Sequence, residues 1–136
     1  MTKRTIYMTA YDLQRLQPLI ESARRYGHAD VEALDLLQAE VDRAILCDPN
    51  DMPADVVTIN AKVRVTDLET GKQLEFTIVF PRQADYEQKM ISVLAPIGTA
   101  LLGYRPGVEV EWPTPGGMRR FRIDEVTAPQ RAASVA

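Results

Sequence analysis

The sequence predicts an α+β protein in which two helices precede a small sheet. Before residue 47, apolar residues recur at spacings of three and four, the pattern of amphipathic helices. After residue 55 they alternate with polar residues, as in half-buried strands. The 136 residues can form one domain, or a small domain with an appendage. We therefore predict a helical hairpin at 1–47, a linker at 48–55 and a sheet domain at 56–136, with a loose tail from about residue 127.

The first helix has clear signals at both ends. Thr9 and Asp12 have the spacing of a capping box, in which the Thr9 hydroxyl accepts from the N–H of Asp12. Gly27 is the expected C-terminal stop. Pro18 lies inside the pattern and predicts either a bend or a late helix start. The apolar seam consists of Leu13, Leu16, Ile20 and Ala23.

The second helix repeats this seam with Leu34, Leu37, Val41 and Ala44. Asp30 is its predicted N-cap, and Glu32 lies in its first turn. A short connection makes the two helices antiparallel neighbours, so we expect a short coiled-coil hairpin about 25 Å long. We expect it to project, because prolines and aspartates follow at 47–55. The alternative is that both seams pack against the rest of the protein.

The second part of the chain predicts about five strands around one short helix. Pro81, Pro96 and the Pro-Gly pairs mark where strands end, because proline cannot donate to a ladder. The polar residues 82–89 are predicted to form a loop. The strands fall near residues 56–66, 73–80, 91–94, 108–112 and 121–126, and the helix runs from about residue 97 to Gly103.

Composition argues against several kinds of function. Sixteen basic and nineteen acidic residues give a net charge of −3. The chain therefore lacks the excess of positive charge that would indicate a nucleic-acid ligand. Cys47 is the only cysteine and His28 the only histidine, which leaves no Cys/His metal site and no disulfide. We find no phosphate-binding loop, nucleophile motif, signal-length apolar core or membrane-length segment. The sequence therefore predicts a cytoplasmic binding module without catalytic residues, metal or cofactor.

Acidic residues at the hairpin tip leave one alternative. Asp30 and Glu32 could hold a divalent cation inside a partner's active site, because such cations prefer oxygen ligands. The simpler interpretation is that Asp30 caps the second helix and that the negative charge of Glu32 interacts favourably with the positive end of the helix dipole. His28 is best read as a solvated loop residue.

Several motifs resemble a known superfamily. Ile-Ser-Val-Leu-Ala-Pro-Ile-Gly-Thr-Ala-Leu-Leu-Gly at 91–103, followed by Gly-Val-Glu-Val and Pro-Gly-Gly, resembles the C-terminal domain of the Gre transcript-cleavage factors of bacterial RNA polymerase. More narrowly, Met-Pro-Ala-Asp-Val-Val-Thr-Ile-Asn at 52–60, Ile-Val-Phe-Pro at 78–81 and Ser-Val-Leu-Ala-Pro-Ile-Gly at 92–98 resemble the Rnk family, regulators of nucleoside diphosphate kinase. The likeness covers residues 30–127 in order.

The resemblance implies a fold, a partner and a site. It implies an FKBP-like, twisted antiparallel sheet that docks on the polymerase core beside the secondary channel, with nucleic acid approached only through polymerase. The hairpin is too short to deliver its tip to the catalytic centre, so the implied regulator competes with Gre factors without cleaving transcripts. Gre-type domains carry Asp-Ser before the docking proline, where this chain has Leu-Ala. The implied polymerase contacts are Ser92, Leu94, Ala95, Pro96 and Ile97, and the implied tip is Gly27, His28, Asp30 and Glu32.

Two other functions remain open. An FKBP-like fold could belong to a peptidyl-prolyl isomerase, although fold alone is a weak argument for function. That activity would need an aromatic-lined pocket, and Trp112 with the phenylalanines is expected in the core. The other alternative is a regulator that contacts nucleoside diphosphate kinase directly.

Overall fold

The computed structural model describes residues 5–27 and 31–129 and confirms the α+β class. Two helices precede a five-stranded sheet and a short third helix. None of the described helices combines the length and apolar character needed to cross a membrane. In chain order the elements are β1 (Tyr7–Met8), α1 (Ala10–Tyr26), α2 (Val31–Asp42), β2 (Ile45–Leu46), β3 (Lys62–Asp67), β4 (Gln73–Val79), β5 (Met90–Ser92), α3 (Pro96–Leu101), β6 (Glu109–Thr114) and β7 (Gly117–Thr127).

Helix α1 follows its sequence signals closely. The Thr9 hydroxyl accepts from the N–H of Asp12 at 3.0 Å. At the other end Gly27 adopts a left-handed φ of 66° and its N–H bonds to the carbonyl of Ala23. The helix runs through Pro18, so the late start that this proline could have caused is ruled out.

Helix α2 is antiparallel to α1 and shorter than expected. Two hydrogen bonds join the side chains of Gln17 and Gln38, and Arg24 pairs with Asp35 at 2.5 Å. The later α1 residue, Arg24, pairs with the earlier α2 residue, Asp35, so the two helices run antiparallel. With 12 residues, α2 is about 18 Å long. The predicted N-cap, Asp30, lies outside the described residues.

A small two-stranded parallel sheet was not predicted from the sequence. β1 and β2 pair Tyr7 with Ile45 and Met8 with Leu46. Strands of two residues are too short to show an alternating pattern. This pairing also accounts for the early end of α2, because the chain after Asp42 turns to run beside β1.

The five-stranded sheet has the order β5-β4-β3-β7-β6. The expected twisted antiparallel sheet is wrong at one place, since β4 and β5 are parallel. The physical reason is the connection at 80–89, which includes short 3₁₀ turns at Pro81–Gln83 and Tyr86–Gln88. It carries the chain back so that Met90 lies opposite Thr77 and β5 runs alongside the last residues of β4, whereas a tight hairpin would have reversed the chain direction. A second difference is that the apolar residues at 56–59 are buried without forming a strand.

The helical hairpin and the sheet share one hydrophobic core. Leu16 and Leu37 are fully buried in the same cluster as Val63 of β3 and Ile123 of β7. The guanidinium of Arg15 also lies 4.0 Å from the ring centre of Phe80, a cation–π contact between α1 and the sheet domain. The seams therefore pack against the rest of the protein, the alternative left open by the sequence, and the expected projecting hairpin is not what the structure shows.

Asp67 ties the β3–β4 turn to β7. One carboxylate oxygen accepts from the N–H groups of Glu69 and Thr70 at 2.8 and 3.3 Å, and the other lies 2.9 Å from Arg119. Burial alone would raise the pKa of this carboxyl, but the two backbone hydrogen bonds and Arg119 outweigh it and hold the pKa below its usual value.

Replacing Asp67 should therefore change how stability depends on pH. A folded-state pKa below the unfolded value of about 3.9 stabilises the protein above that pH, and this is lost as pH falls through the folded value. We expect Asp67→Asn to lower the thermal midpoint at pH 7, with a smaller difference from wild type at pH 3. Glu75→Gln is the control, because Glu75 is exposed on β4 and has no ion pair among the described residues. An equal deficit of Asp67→Asn at both pH values would contradict this electrostatic role.

Candidate functional site

The loop between β5 and α3 is a tight, internally bonded turn. The Ser92 hydroxyl accepts from the N–H of Leu94 at 3.0 Å, and the Ser92 carbonyl accepts from the N–H of Ala95 at 3.0 Å. Val93 is fully buried, and its N–H donates to the Val79 carbonyl at 2.8 Å. Leu94 and Ala95 follow this bonded turn; both are half-buried and pack in part against the hydrophobic core.

Helix α3 packs closely against this loop because it contains Gly98. A Cβ at Gly98 would lie 2.3 Å from the Ser92 carbonyl oxygen and 2.9 Å from the Val93 Cα. Real side chains do not approach backbone atoms so closely, so only glycine allows this contact. Pro96 occupies the first helical position, where its missing N–H costs nothing. Loop and helix therefore form one unit.

A groove of about 380 Å³ opens beside this unit, and we call it the loop groove. Its walls come from four segments of the chain: the loop, α1, α2 and the connection at 80–89. Among the described residues that line it, none carries a formal charge, and Tyr86 at its rim is 70% exposed. Its main lining residues are Leu94, Ala95 and Pro96 of the loop, Leu19 of α1, Ala33 of α2 and Tyr86. An apolar groove of this kind suits contact with another protein and offers no acid–base pair for catalysis.

Four of the five predicted contact residues line the loop groove, and one does not. Ser92, Leu94, Ala95 and Pro96 line the loop groove. Ile97 does not line it and packs, partly buried, against the hydrophobic core. The Ser92 hydroxyl is already used to shape the turn. Leu94, Ala95 and Pro96 are therefore the predicted residues best placed to meet a partner.

The predicted hairpin tip is only partly described. Gly27 is exposed as the C-cap of α1, and Glu32 is exposed in the first turn of α2. His28 and Asp30 lie outside the described residues. Within 5–27 and 31–129, no cluster of His, Cys, Asp or Glu side chains could hold a metal ion.

The sequence did not reveal the walls of the groove. Leu19 and Ala33 read as ordinary helix positions, and Tyr86 lies in a segment predicted only as a polar loop. A tyrosine within this polar segment was the available signal, because aromatic residues are enriched where proteins bind each other.

The tryptophan and the three phenylalanines belong to the core, as expected. Trp112 and Phe121 stack with ring centres 3.9 Å apart, and Phe76 and Phe80 are buried as well. A prolyl-isomerase pocket lined by these rings would require them to face a cavity. Their burial disfavours that alternative.

Family comparisons agree with the motifs. A model described as "Transcription elongation factor, GreA/GreB, C-term" matches residues 52–128, which include the loop and α3. A model described as "Rnk N-terminus" matches residues 4–46, which include the hairpin. The chain belongs to the Rnk family within the Gre-factor superfamily.

Individual relatives support the same membership. The Escherichia coli K12 protein named "Regulator of nucleoside diphosphate kinase" is 38% identical over 118 residues, covering 87% of this chain and 85% of its own. GreA of Thermodesulfovibrio yellowstonii is 35% identical over 91 residues, covering 67% of this chain and 58% of its own.

Solved structures match over nearly the whole chain. The Nitrosomonas europaea protein titled "Prokaryotic transcription elongation factor GreA/GreB" has a TM-score of 0.76 and 39% identity, covering 93% of this Rnk-family chain and all of its own. Gfh1 of Thermus aquaticus, at 22% identity with a TM-score of 0.52, shares the fold.

Proposed function

We propose that this protein binds bacterial RNA polymerase at the rim of the secondary channel, competes there with Gre factors, and does not stimulate transcript cleavage. The observation that carries the proposal is the loop groove, an uncharged surface whose loop lies within the region matched to Gre C-terminal domains. Leu94 and Ala95 replace the Asp-Ser that Gre-type loops carry, so the contact is apolar. The protein is then a cytoplasmic transcription regulator and approaches nucleic acid only through polymerase.

The size and attachment of the hairpin support the absence of cleavage. Helices of 17 and 12 residues span about 26 and 18 Å. Leu16, Ile20, Leu34 and Leu37 of these helices are held in the core shared with the sheet. Only the residues near the tip are therefore left to extend toward a catalytic centre.

The proposed organisation follows the same division. Residues 1–47 form a short coiled-coil hairpin, 48–55 a linker, and 56–136 an FKBP-like domain. The two matched family regions meet at residues 47–51, within or next to this linker.

Binding to core polymerase tests the proposal directly. We expect the wild-type protein to be retained on immobilised core polymerase and to be displaced by excess Gre factor. Leu94→Glu should weaken binding at least about tenfold, because a charge would be buried against an apolar partner surface. Met118→Glu is the matched control, since Met118 is 61% exposed at the start of β7 and pairs with β6, the edge strand farthest from β5.

Absence of binding, or retention unaffected by Gre factor, would contradict the proposal. Circular dichroism of each variant separates a lost contact from a lost fold. In stalled transcription complexes, the protein alone should leave the transcript uncleaved. Cleavage stimulated by the purified protein would show that the hairpin reaches the catalytic centre after all.

A second candidate function follows from the Escherichia coli relative, which is named "Regulator of nucleoside diphosphate kinase". Such regulation could act through protein contact or through expression. The activity of purified kinase with and without this protein distinguishes the two routes. A changed kinase rate in the absence of polymerase would favour direct contact.

A further inference from the structure

Strand β2 is an exposed edge with an apolar surface. It hydrogen-bonds to β1 through the N–H groups of Ile45 and Cys47, at 2.9 and 3.0 Å. Alternate residues of a strand direct their backbone groups to opposite sides, so the N–H and C=O of Leu46 point away from β1. The side chains of Ile45 and Leu46 are 47% and 51% exposed. Proteins usually protect such an edge with charges or a covering element, and this edge has neither on Ile45 or Leu46.

Next to this edge is a wide groove of about 820 Å³, which we call the edge groove. Tyr11, 67% exposed, and Leu46 provide its apolar lining, and Asp48 and Asp51 provide its charge. Residues 44–61 contain three aspartates and no lysine or arginine. Asp55 is paired with Arg105 at 2.7 Å, whereas Asp48 and Asp51 have no ion pair among the described residues. The edge groove is therefore apolar and acidic.

The edge groove and the loop groove contact opposite ends of α1. Tyr11 lines the first near the start of α1, and Ser22 lines the second near its end. Eleven residues correspond to about 16 Å along the helix axis. The two grooves therefore lie about three helical turns apart along α1.

We propose that the edge groove binds an extended segment of RNA polymerase, which adds a strand beside β2 and places basic side chains against Asp48 and Asp51. The inference rests on the proposed polymerase binding. Backbone pairing with Leu46 provides affinity in this mode of recognition, and the side-chain contacts provide selectivity. The acidic rim favours a basic segment over a second copy of this chain, because self-pairing would bring the same aspartates together.

The experiment compares affinity for core polymerase among variants with intact folds. Leu46→Glu, and Asp48→Lys combined with Asp51→Lys, should each weaken binding about tenfold or more. Met118→Glu should stay within about twofold of wild type. In the wild-type complex, hydrogen exchange of the Leu46 amide should slow relative to the free protein, a readout that requires no substitution.

The outcomes separate this inference from the proposed function. Failure of the wild-type protein to bind polymerase would overturn both. If wild type binds and Leu94→Glu weakens binding, but Leu46→Glu binds normally and Leu46 exchange is unchanged, only the edge groove proposal is overturned. Tighter binding after the charge reversal would contradict a basic partner segment. A dimer that Leu46→Glu converts to a monomer would identify a second copy as the occupant and overturn the proposal.

Discussion

Gly98→Ala is expected to destabilise the protein by about 2–3 kcal/mol and to lower its thermal midpoint by about 10 °C. The new Cβ would lie 2.3 Å from the Ser92 carbonyl oxygen, so either α3 or the loop must move. Alanine gains up to about 1 kcal/mol in helix propensity, which the clash outweighs. Because Ser92 begins the loop, binding to polymerase should fall together with stability. Thermal unfolding followed by circular dichroism measures the first effect.

Gly116→Ala is the matched control for this change. Gly116 lies in the turn between β6 and β7, and the nearest atom to its added Cβ is the Thr114 hydroxyl oxygen, 3.9 Å away. We expect its thermal midpoint to stay close to that of wild type. Equal stability of Gly98→Ala and Gly116→Ala would contradict the close contact between α3 and the loop.

Leu37→Ala is expected to reduce the free energy of unfolding by about 3 kcal/mol. Leu37 is completely buried in the core that α2 shares with the sheet. Loss of this side chain should therefore destabilise both parts of the molecule. Helix content measured by circular dichroism and the fluorescence of Trp112 in β6 should report the same earlier transition.

Leu36→Ala provides the control on the same helix, because the neighbouring Leu36 is 65% exposed. Its unfolding free energy should stay within about 0.5 kcal/mol of wild type. Two separate transitions, with the helices melting before Trp112 changes, would mean that the hairpin is only loosely attached to the sheet.

Local signals made much of the fold predictable. Thr9 and Gly27 form hydrogen bonds with residues three or four positions away in the chain. Their roles at the ends of α1 could therefore be predicted directly from the sequence. The alternation of apolar residues in β3, β4 and β7 was equally visible, because one face of each strand is buried.

Features that depend on distant contacts could not be predicted. The parallel pairing of β5 depends on the path of residues 80–89, and the pairing of β1 with β2 joins segments separated by two helices. The attachment of the hairpin to the sheet required knowing which surface its seams face, because periodicity identifies a buried side without identifying what covers it.

The candidate site shows the same division. Leu94, Ala95 and Pro96 were predicted as contact residues from the motif around them. The opposite walls of the loop groove, Leu19 and Ala33, lie more than fifty residues earlier in the chain and carry no signal of their own.

Site-specific photo-crosslinking tests the docking surface most directly. A photoreactive amino acid is placed at Leu94, with a second version at Met118 as the control. Docking through the loop groove predicts a crosslink from position 94 to a polymerase subunit that excess Gre factor suppresses, and little crosslinking from position 118. Crosslinking from position 118 alone, or a crosslink from position 94 that Gre factor leaves unchanged, would contradict it.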